Sequence, residues 1–387
     1  MLVDLIAGAR PNFMKIAPVT HAIRQAQLEG AGISFRIIHT GQHYDQNMSG
    51  SFFEQLGIPE PDHNLGAGGG TQAEQTAAIM TGYERLLMEG PRPDICIVVG
   101  DVTSTMACSI TARKLGIRVA HVEGGIRSRD WTMPEEINRV VTDSITDYFF
   151  TTSEVANRNL ESEGVSPNRI FFVGNTMIDT LHTQLPHLRE PGLVSEFGLQ
   201  KGRYFAMTLH RPANVDQEQT LKTLIENIMA STGGQPVVFP AHPRTRIILD
   251  RLGISHPDLH MTEPLGYLEF IWLVRHARAV ITDSGGITEE ATVLGVPCLT
   301  LRDNTERPET VTVGTNELIG TDPKAIAPAL KQLLSGKWKK GKIPEKWDGK
   351  TSGRIVSTLL VLHGSGKLAP FRPFRDDSLL FRQDKFQ

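Results

Sequence analysis

Short runs of apolar, β-forming residues alternate with helical patterns along almost the whole chain, and this alternation leaves few folds open. In the first half the runs are Leu2–Ala7, Phe35–Thr40, Ile95–Gly100, Val119–Val122, Tyr148–Thr151 and Ile170–Val173. In the second they are Phe205–Leu209, Val237–Phe239, Ala279–Ile281, Pro297–Leu301 and Leu318–Gly320. Strands separated by helices form parallel sheets with helical cover. That many strands overfill one open sheet, so two doubly wound, Rossmann-like α/β domains are expected. A helix over Thr176–Leu188 followed by the polar stretch Arg189–Gly202 marks the junction. The domains are therefore read as 1–175 and 176–360, with 361–387 a C-terminal tail whose aromatics suggest that it docks somewhere.

The strand ends carry the chemistry. In open α/β sheets ligands bind beyond the carboxyl ends of the strands. Here those ends read Gly8-Ala9-Arg10-Pro11 with Lys15, Gly41-Gln42-His43, Gly100-Asp101, His121-Val122-Glu123, His210-Arg211, His242-Pro243 and Asp283-Ser284. One such end means little, because a terminal Asp such as Asp101 also caps helices. Seven from both halves are most economically explained by a ligand in a cleft between two domains. Glu135 and Glu136 follow Met133-Pro134, in the first turn of a helix, where two explanations stand: chemistry, or acidic residues at the positive end of a helix dipole.

The densest of these ends is Asp283-Ser284-Gly285-Gly286-Ile287-Thr288-Glu289-Glu290, followed by Arg302 to Glu309. A helix that opens on a serine and two glycines presents free backbone N–H groups, and glycine lets them approach a pyrophosphate closely. Glu290 is placed to accept ribose hydroxyls, and Arg307 adds a permanent cation. Together they describe a cradle for a nucleoside diphosphate carrying a sugar.

Several classes are disfavoured. The 387 residues carry a net charge of −3, which gives no reason to expect nucleic acid or an anionic membrane as partner. The cysteines Cys96, Cys108 and Cys298 sit in apolar settings without a Cys-x-x-Cys pair, as buried thiols of a reducing cytosol do. No signal-peptide pattern or membrane-length apolar run is apparent, so a soluble, cytoplasmic protein is expected. The thirteen histidines show no metal-ligand spacing, and there is neither a Gly-x-Gly-x-x-Gly after a strand nor a Walker motif. No metal, NAD or ATP is expected; a diphosphate would be held by Arg10, Lys15, Arg211 and Arg307.

These segments, with Pro134-Glu135-Glu136-Ile137-Asn138-Arg139 and Gly174-Asn175-Thr176, resemble the non-hydrolysing UDP-N-acetylglucosamine 2-epimerases in order and spacing from residue 1 to about 360. The resemblance implies a glycosyltransferase-B type fold whose C-terminal helix and tail cross back onto the first domain, a homodimer, no cofactor, and reversible inversion at C2 of UDP-N-acetylglucosamine. It implies elimination of UDP to a bound 2-acetamidoglucal and re-addition with protonation of the other face. By motif position Asp101, Glu123, Glu135 and His210 match catalytic groups. Arg10, Lys15, Phe270, Ser284, Gly285, Gly286, Glu290 and Arg307 match substrate contacts. Gln42, Glu136, Arg211 and His242 match positions where many bacterial members bind a second substrate molecule as activator, but Gly69 stands in place of the expected arginine. Phe270 is equally explained as a core residue of an amphipathic helix. A glycosyltransferase of the same fold, a hydrolysing epimerase, an epimerase of a modified UDP-sugar and a silent UDP-sugar sensor remain the alternatives.

Overall fold

The structure, a computed structural model, describes residues 1–41, 53, 56–215, 217–241 and 243–370; at 212, 213, 243 and 244 it describes the backbone alone. Gln42, His242 and the tail beyond 370 lie outside the described residues. The chain divides into two compact units, Met1–Thr176 with the segment from Lys350 onward, and Met177–Gly349.

The first unit holds a seven-stranded parallel sheet: β1 (Leu2–Ala7), β2 (Ser34–His39), β3 (His63–Asn64), β4 (Ile95–Val99), β5 (Arg118–Val122), β6 (Tyr148–Thr151) and β7 (Ile170–Phe172). Its spatial order is β3-β2-β1-β4-β5-β6-β7. The chain winds outward one way from β1, then returns to pair β4 on its other side, which makes β1/β4 the switch point where such sheets bind ligands. Both faces are covered, so these strands are near-continuous apolar runs such as Ile95-Cys96-Ile97-Val98-Val99, buried throughout.

The second unit repeats the plan with six parallel strands: β8 (Phe205–Thr208), β9 (Val237–Pro240), β10 (Leu259–Thr262), β11 (Ala279–Thr282), β12 (Cys298–Thr300) and β13 (Asn316–Leu318), in the order β10-β9-β8-β11-β12-β13. Here the switch point is β8/β11. Alternation of side chains sorts its core: Phe205, Met207, Val237, Phe239 and Ile281 pack into one helical layer. Ala206, Val238, Val280 and Cys298 pack into the other.

The helix Thr351–Gly364 belongs to the first unit, although residues 351–360 are assigned above to the second domain and only 361–364 to the tail. It buries Ile355, Val356, Leu359 and Leu362 and packs against the Arg10–Leu28 helix. Arg354 also donates to the Val173 carbonyl at 2.9 Å. Beyond it, Tyr148 Oη donates to Lys367 O at 2.9 Å and Arg118 Nε to Ala369 O at 3.2 Å. Among the described residues no helix is long and apolar enough to cross a membrane. All three cysteines are buried free thiols.

Candidate active site

In the first unit the ends of β1, β4 and β5 converge. Helix Arg10–Leu28 opens directly after β1, with Arg10 exposed at its first position. Asn12 pins this turn: its Oδ1 accepts from Ala9 N at 2.9 Å and its Nδ2 donates to Val99 O at 3.1 Å, joining β1 to β4. One turn further, Lys15 Nζ donates to Glu123 Oε2 at 2.7 Å. Gly100 sits beneath this pair with φ +70°, and a Cβ there would come within 3.1 Å of Lys15 Nζ. Glycine suits this backbone, and a side chain here would crowd the ammonium above it.

Glu123 adopts φ 71°, one of only three non-glycine residues at positive φ among those described. A left-handed glutamate is disfavoured unless its surroundings over-determine it, and such residues cluster at functional sites. This feature has no sequence signature beyond the following Gly124-Gly125.

Asp101 and Glu136 meet through an arginine that sequence reasoning did not single out. The helix Pro134–Ile145 begins where expected. Its Asn138 donates to the Asp101 carbonyl at 2.9 Å, and its Arg139 pairs with the Asp101 carboxylate. The same guanidinium donates to Glu136 Oε2 at 2.8 Å. Glu136 is buried and also accepts from Ser128 N and Arg129 N at 2.9 and 2.8 Å. Burial raises its pKa, but these donors outweigh burial and hold it below the ordinary carboxylate range. Glu135, half-buried in the same first turn, points elsewhere on the helix surface than Glu136.

In the second unit the switch point gathers His210, Asp283 and the glycine-opened helix. Asp283 is fully buried and accepts from His210 N at 3.0 Å, Arg211 N at 2.9 Å and Asn214 Nδ2 at 3.1 Å. It also lies 2.8 Å from His210 Nδ1. Burial alone would raise the Asp283 carboxyl; the His210 and backbone hydrogen bonds outweigh it and keep it ionised. An ionised carboxylate only accepts, so His210 carries its proton on Nδ1 and presents Nε2 outward from a side chain that is 57% exposed. Asp283 is the main site residue missed as such by sequence reasoning.

Helix Gly285–Leu294 follows β11 with Ser284 at its N-cap, and the Ser284 side chain makes no capping bond. A Cβ at Gly286 would meet nothing within 4 Å, so packing inside the protein does not demand this glycine. Glu290 is buried and accepts from Tyr267 Oη at 2.8 Å. Burial pushes its pKa up to about 8, helped by neighbouring Glu289 and opposed by the Tyr267 hydrogen bond. Arg307 pairs with Glu289. Beside them Arg302 holds Glu306 with two bonds of 2.8 and 2.9 Å, and Arg211 Nη2 lies 3.7 Å from the same carboxylate. Phe270 is partly buried and packs against the core around Ile271 and Trp347, which satisfies its core explanation.

A profile of the family described as UDP-N-acetylglucosamine 2-epimerase matches residues 26–360. The chain belongs to this family. Its member from Methanocaldococcus jannaschii, named UDP-N-acetylglucosamine 2-epimerase, is 42% identical over 93% of this chain and 99% of its own. A crystal structure of that organism's UDP-GlcNAc 2-epimerase in complex with UDP-GlcNAc and UDP superposes with a TM-score of 0.80, covering 93% of this chain and all of the other. The Neisseria meningitidis UDP-GlcNAc 2-epimerase bound to UDP-GlcNAc gives a TM-score of 0.83 at 30% identity, over 93% and 100% of the two chains. A Pseudomonas aeruginosa relative is 40% identical over 86% of this chain and 92% of its own, and is named UDP-2,3-diacetamido-2,3-dideoxy-D-glucuronate 2-epimerase. The non-hydrolysing epimerase membership expected from the motifs holds, as does the fold of two parallel-sheet domains; the protein is an isomerase.

Proposed function

We propose that this enzyme interconverts UDP-N-acetylglucosamine and UDP-N-acetylmannosamine by eliminating and re-adding UDP. The observation that carries this is the set of cation-held carboxylates Asp101 and Glu123 at the β4 and β5 ends of the first unit, together with the glycine-opened helix after β11 in the second. The C2 hydrogen of the sugar is not acidic, so its removal needs a positioned carboxylate acting as the C1–O bond breaks. In the forward step a carboxylate takes the C2 proton, the C2–H electrons become the C1=C2 double bond, and the C1–O pair leaves with the UDP β-phosphate. Rotation or reseating of the 2-acetamidoglucal and protonation of its other face by a second acid, with return of the phosphate oxygen to C1, completes the inversion. Asp101, Glu123 and Glu135 supply these acids and bases. His210, steered by Asp283, and the cations Arg10, Lys15 and Arg307 hold the departing diphosphate, and Gly285 and Gly286 offer backbone N–H groups to it. Glu290 receives the ribose, and Phe270 flanks the uracil. A cytoplasmic homodimer completes this reading.

In D2O, product formed from UDP-N-acetylglucosamine should carry deuterium at C2 by NMR. Product that keeps its C2 proton rejects the solvent-exchanging route, and release of free sugar with UDP favours hydrolysis. The Pseudomonas relative is nearly as similar as the archaeal one, so the diacetamido-glucuronate nucleotide belongs in the same assay; faster turnover of it would reassign the sugar.

Regulation by a second substrate molecule is not expected. By the resemblance an arginine is expected where Gly69 stands, and Gly69 lies at φ +84° with no side chain to contact a ligand. A ligand shifts a conformational equilibrium only through differential contacts. Reverse turnover from UDP-N-acetylmannosamine alone should begin without a lag; a lag removed by trace UDP-N-acetylglucosamine would show that the remaining residues suffice.

A further inference from the structure

His121 lies completely buried at the end of β5, and both of its ring nitrogens face oxygen. Nδ1 is 2.6 Å from Asp143 Oδ1, and Nε2 is 2.8 Å from the carbonyl oxygen of Gly100. A backbone carbonyl only accepts, so Nε2 carries a proton. Asp143 is the acceptor on the other side. Its second oxygen takes Gly125 N at 3.0 Å and Arg127 Nη1 at 2.6 Å, contacts that favour the ionised form. Burial raises the Asp143 carboxyl, but His121 and Arg127 outweigh it and hold it below the ordinary value. Nδ1 therefore carries a proton as well. A neutral imidazole has one N–H and could satisfy only one of these two acceptors.

We propose that His121 is a positioning residue held as an imidazolium, whose two N–H groups tie the Gly100 carbonyl to Asp143 and so fix where Asp101 and Glu123 stand. This deepens the proposed function and rests on it for the kinetic consequence. The charges around the ring balance. Asp143 from helix Pro134–Ile145 answers His121, and Glu163 answers Arg127 with two bonds of 2.9 and 2.5 Å. Two residues along from His121, Glu123 is answered by Lys15 from helix Arg10–Leu28.

The consequence is geometric. The Gly100 peptide is held at both ends, its N–H on Val122 O at 3.1 Å and its carbonyl on His121. Asp101 follows immediately, with its own carbonyl held by Asn138 and its carboxylate by Arg139. One helix thus reaches this corner through Asn138, Arg139 and Asp143. His121 is its only contact among these with the β4 end that passes through a titratable ring. A buried imidazolium keeps two directional, charge-assisted bonds where a neutral ring would leave one acceptor unmet.

Three measurements test this with the intact enzyme. In protein labelled with 15N-histidine, the signal pair that disappears in the His121→Gln variant should show both ring nitrogens protonated. One unprotonated nitrogen there overturns the proposal whatever the enzyme catalyses. Second, His121→Asn keeps a donor near Asp143 and loses the arm to Gly100; it should lower kcat about ten- to hundredfold with little change in KM. An unchanged kcat, or an equal loss confined to KM, overturns the positioning role. Third, Asp143→Asn removes the charged acceptor opposite Nδ1 and should also lower kcat with little change in KM; an unchanged kcat in that variant counts against the proposal. Absence of turnover in wild type with every UDP-sugar would reject the proposed function and leave the NMR result standing.

Discussion

Glu290→Gln should make the empty protein more stable at pH 8 than wild type, with the difference vanishing toward pH 4.5. Glu290 is buried with Tyr267 Oη on one oxygen and Glu289 next to it, and its pKa stands at about 8 against an ordinary 4.5. The folded state therefore binds a proton that the unfolded chain has released between these two values. Stability from this group is fully present below 4.5 and is lost as pH rises through about 8. The linked loss at pH 8 is on the order of 4 kcal/mol, from about 1.4 kcal/mol for each unit of pKa. Glutamine keeps an oxygen for the tyrosine and cannot ionise, so it escapes the penalty. Thermal denaturation at pH 5, 6, 7 and 8 reads this directly; melting curves of variant and wild type that run parallel across that range would refute it. Glu306 has the opposite sign. Burial raises it, but Arg302 draws it down to about 2, so its stabilisation is present above 4.5 and lost as pH falls through about 2.

The same substitution should weaken UDP, because a site that destabilises the empty protein is tolerated where a ligand relieves it. Buried acid at a helix that opens on Ser284-Gly285-Gly286 is a combination that packing does not call for. It becomes intelligible if ribose hydroxyls take up the carboxylate.

How much of this was legible in the sequence depends on whether a residue's surroundings are local. The inner strands were readable because a strand covered on both faces must be apolar throughout, as Ile95–Val99 is. The two strands not anticipated, His63–Asn64 and Leu259–Thr262, are both sheet edges. Edges are covered less, so histidine, asparagine and threonine are admitted and the apolar signal fades. Asn316–Leu318, placed two residues late, is the edge at the other end of its sheet.

At the site, the residues with motif-bound roles were visible, and their supporting partners were not. Glu123, Asp101 and Glu290 stand at strand ends or a helix start, where sequence position itself suggests chemistry. Arg139 and Asp143 sit inside a helix at ordinary amphipathic positions, and Tyr267 is the first residue of another. Only the fold brings Arg139 to Asp101 across 38 residues, and Tyr267 to Glu290 across 23. Asp283 was visible as part of a motif, but its hold on His210 depends on β8 lying beside β11.

Substitutions in the two units should separate chemistry from binding. Glu123→Gln should lower kcat by roughly 10²–10⁴, the usual worth of a positioned acid or base, while UDP affinity measured by calorimetry stays near the wild-type value. Lys15 keeps a neutral acceptor on the amide oxygen, and the left-handed backbone at residue 123 is no harder for glutamine than for glutamate, so the fold should survive. Arg307→Ala should do the reverse. A charge-assisted contact is worth about 1.5–3 kcal/mol, so UDP should bind roughly ten- to hundredfold more weakly. Removing Arg307 also takes the guanidinium from buried Glu289. The Glu289→Gln/Arg307→Ala double variant therefore carries the same expectation with a neutral partner. If Arg307→Ala and the double variant both bind UDP as tightly as wild type, the nucleotide does not sit at the Gly285–Leu294 helix. If Glu123→Gln instead loses UDP affinity and turnover in equal measure, Glu123 holds substrate and the proton transfer must rest on Asp101 and Glu135.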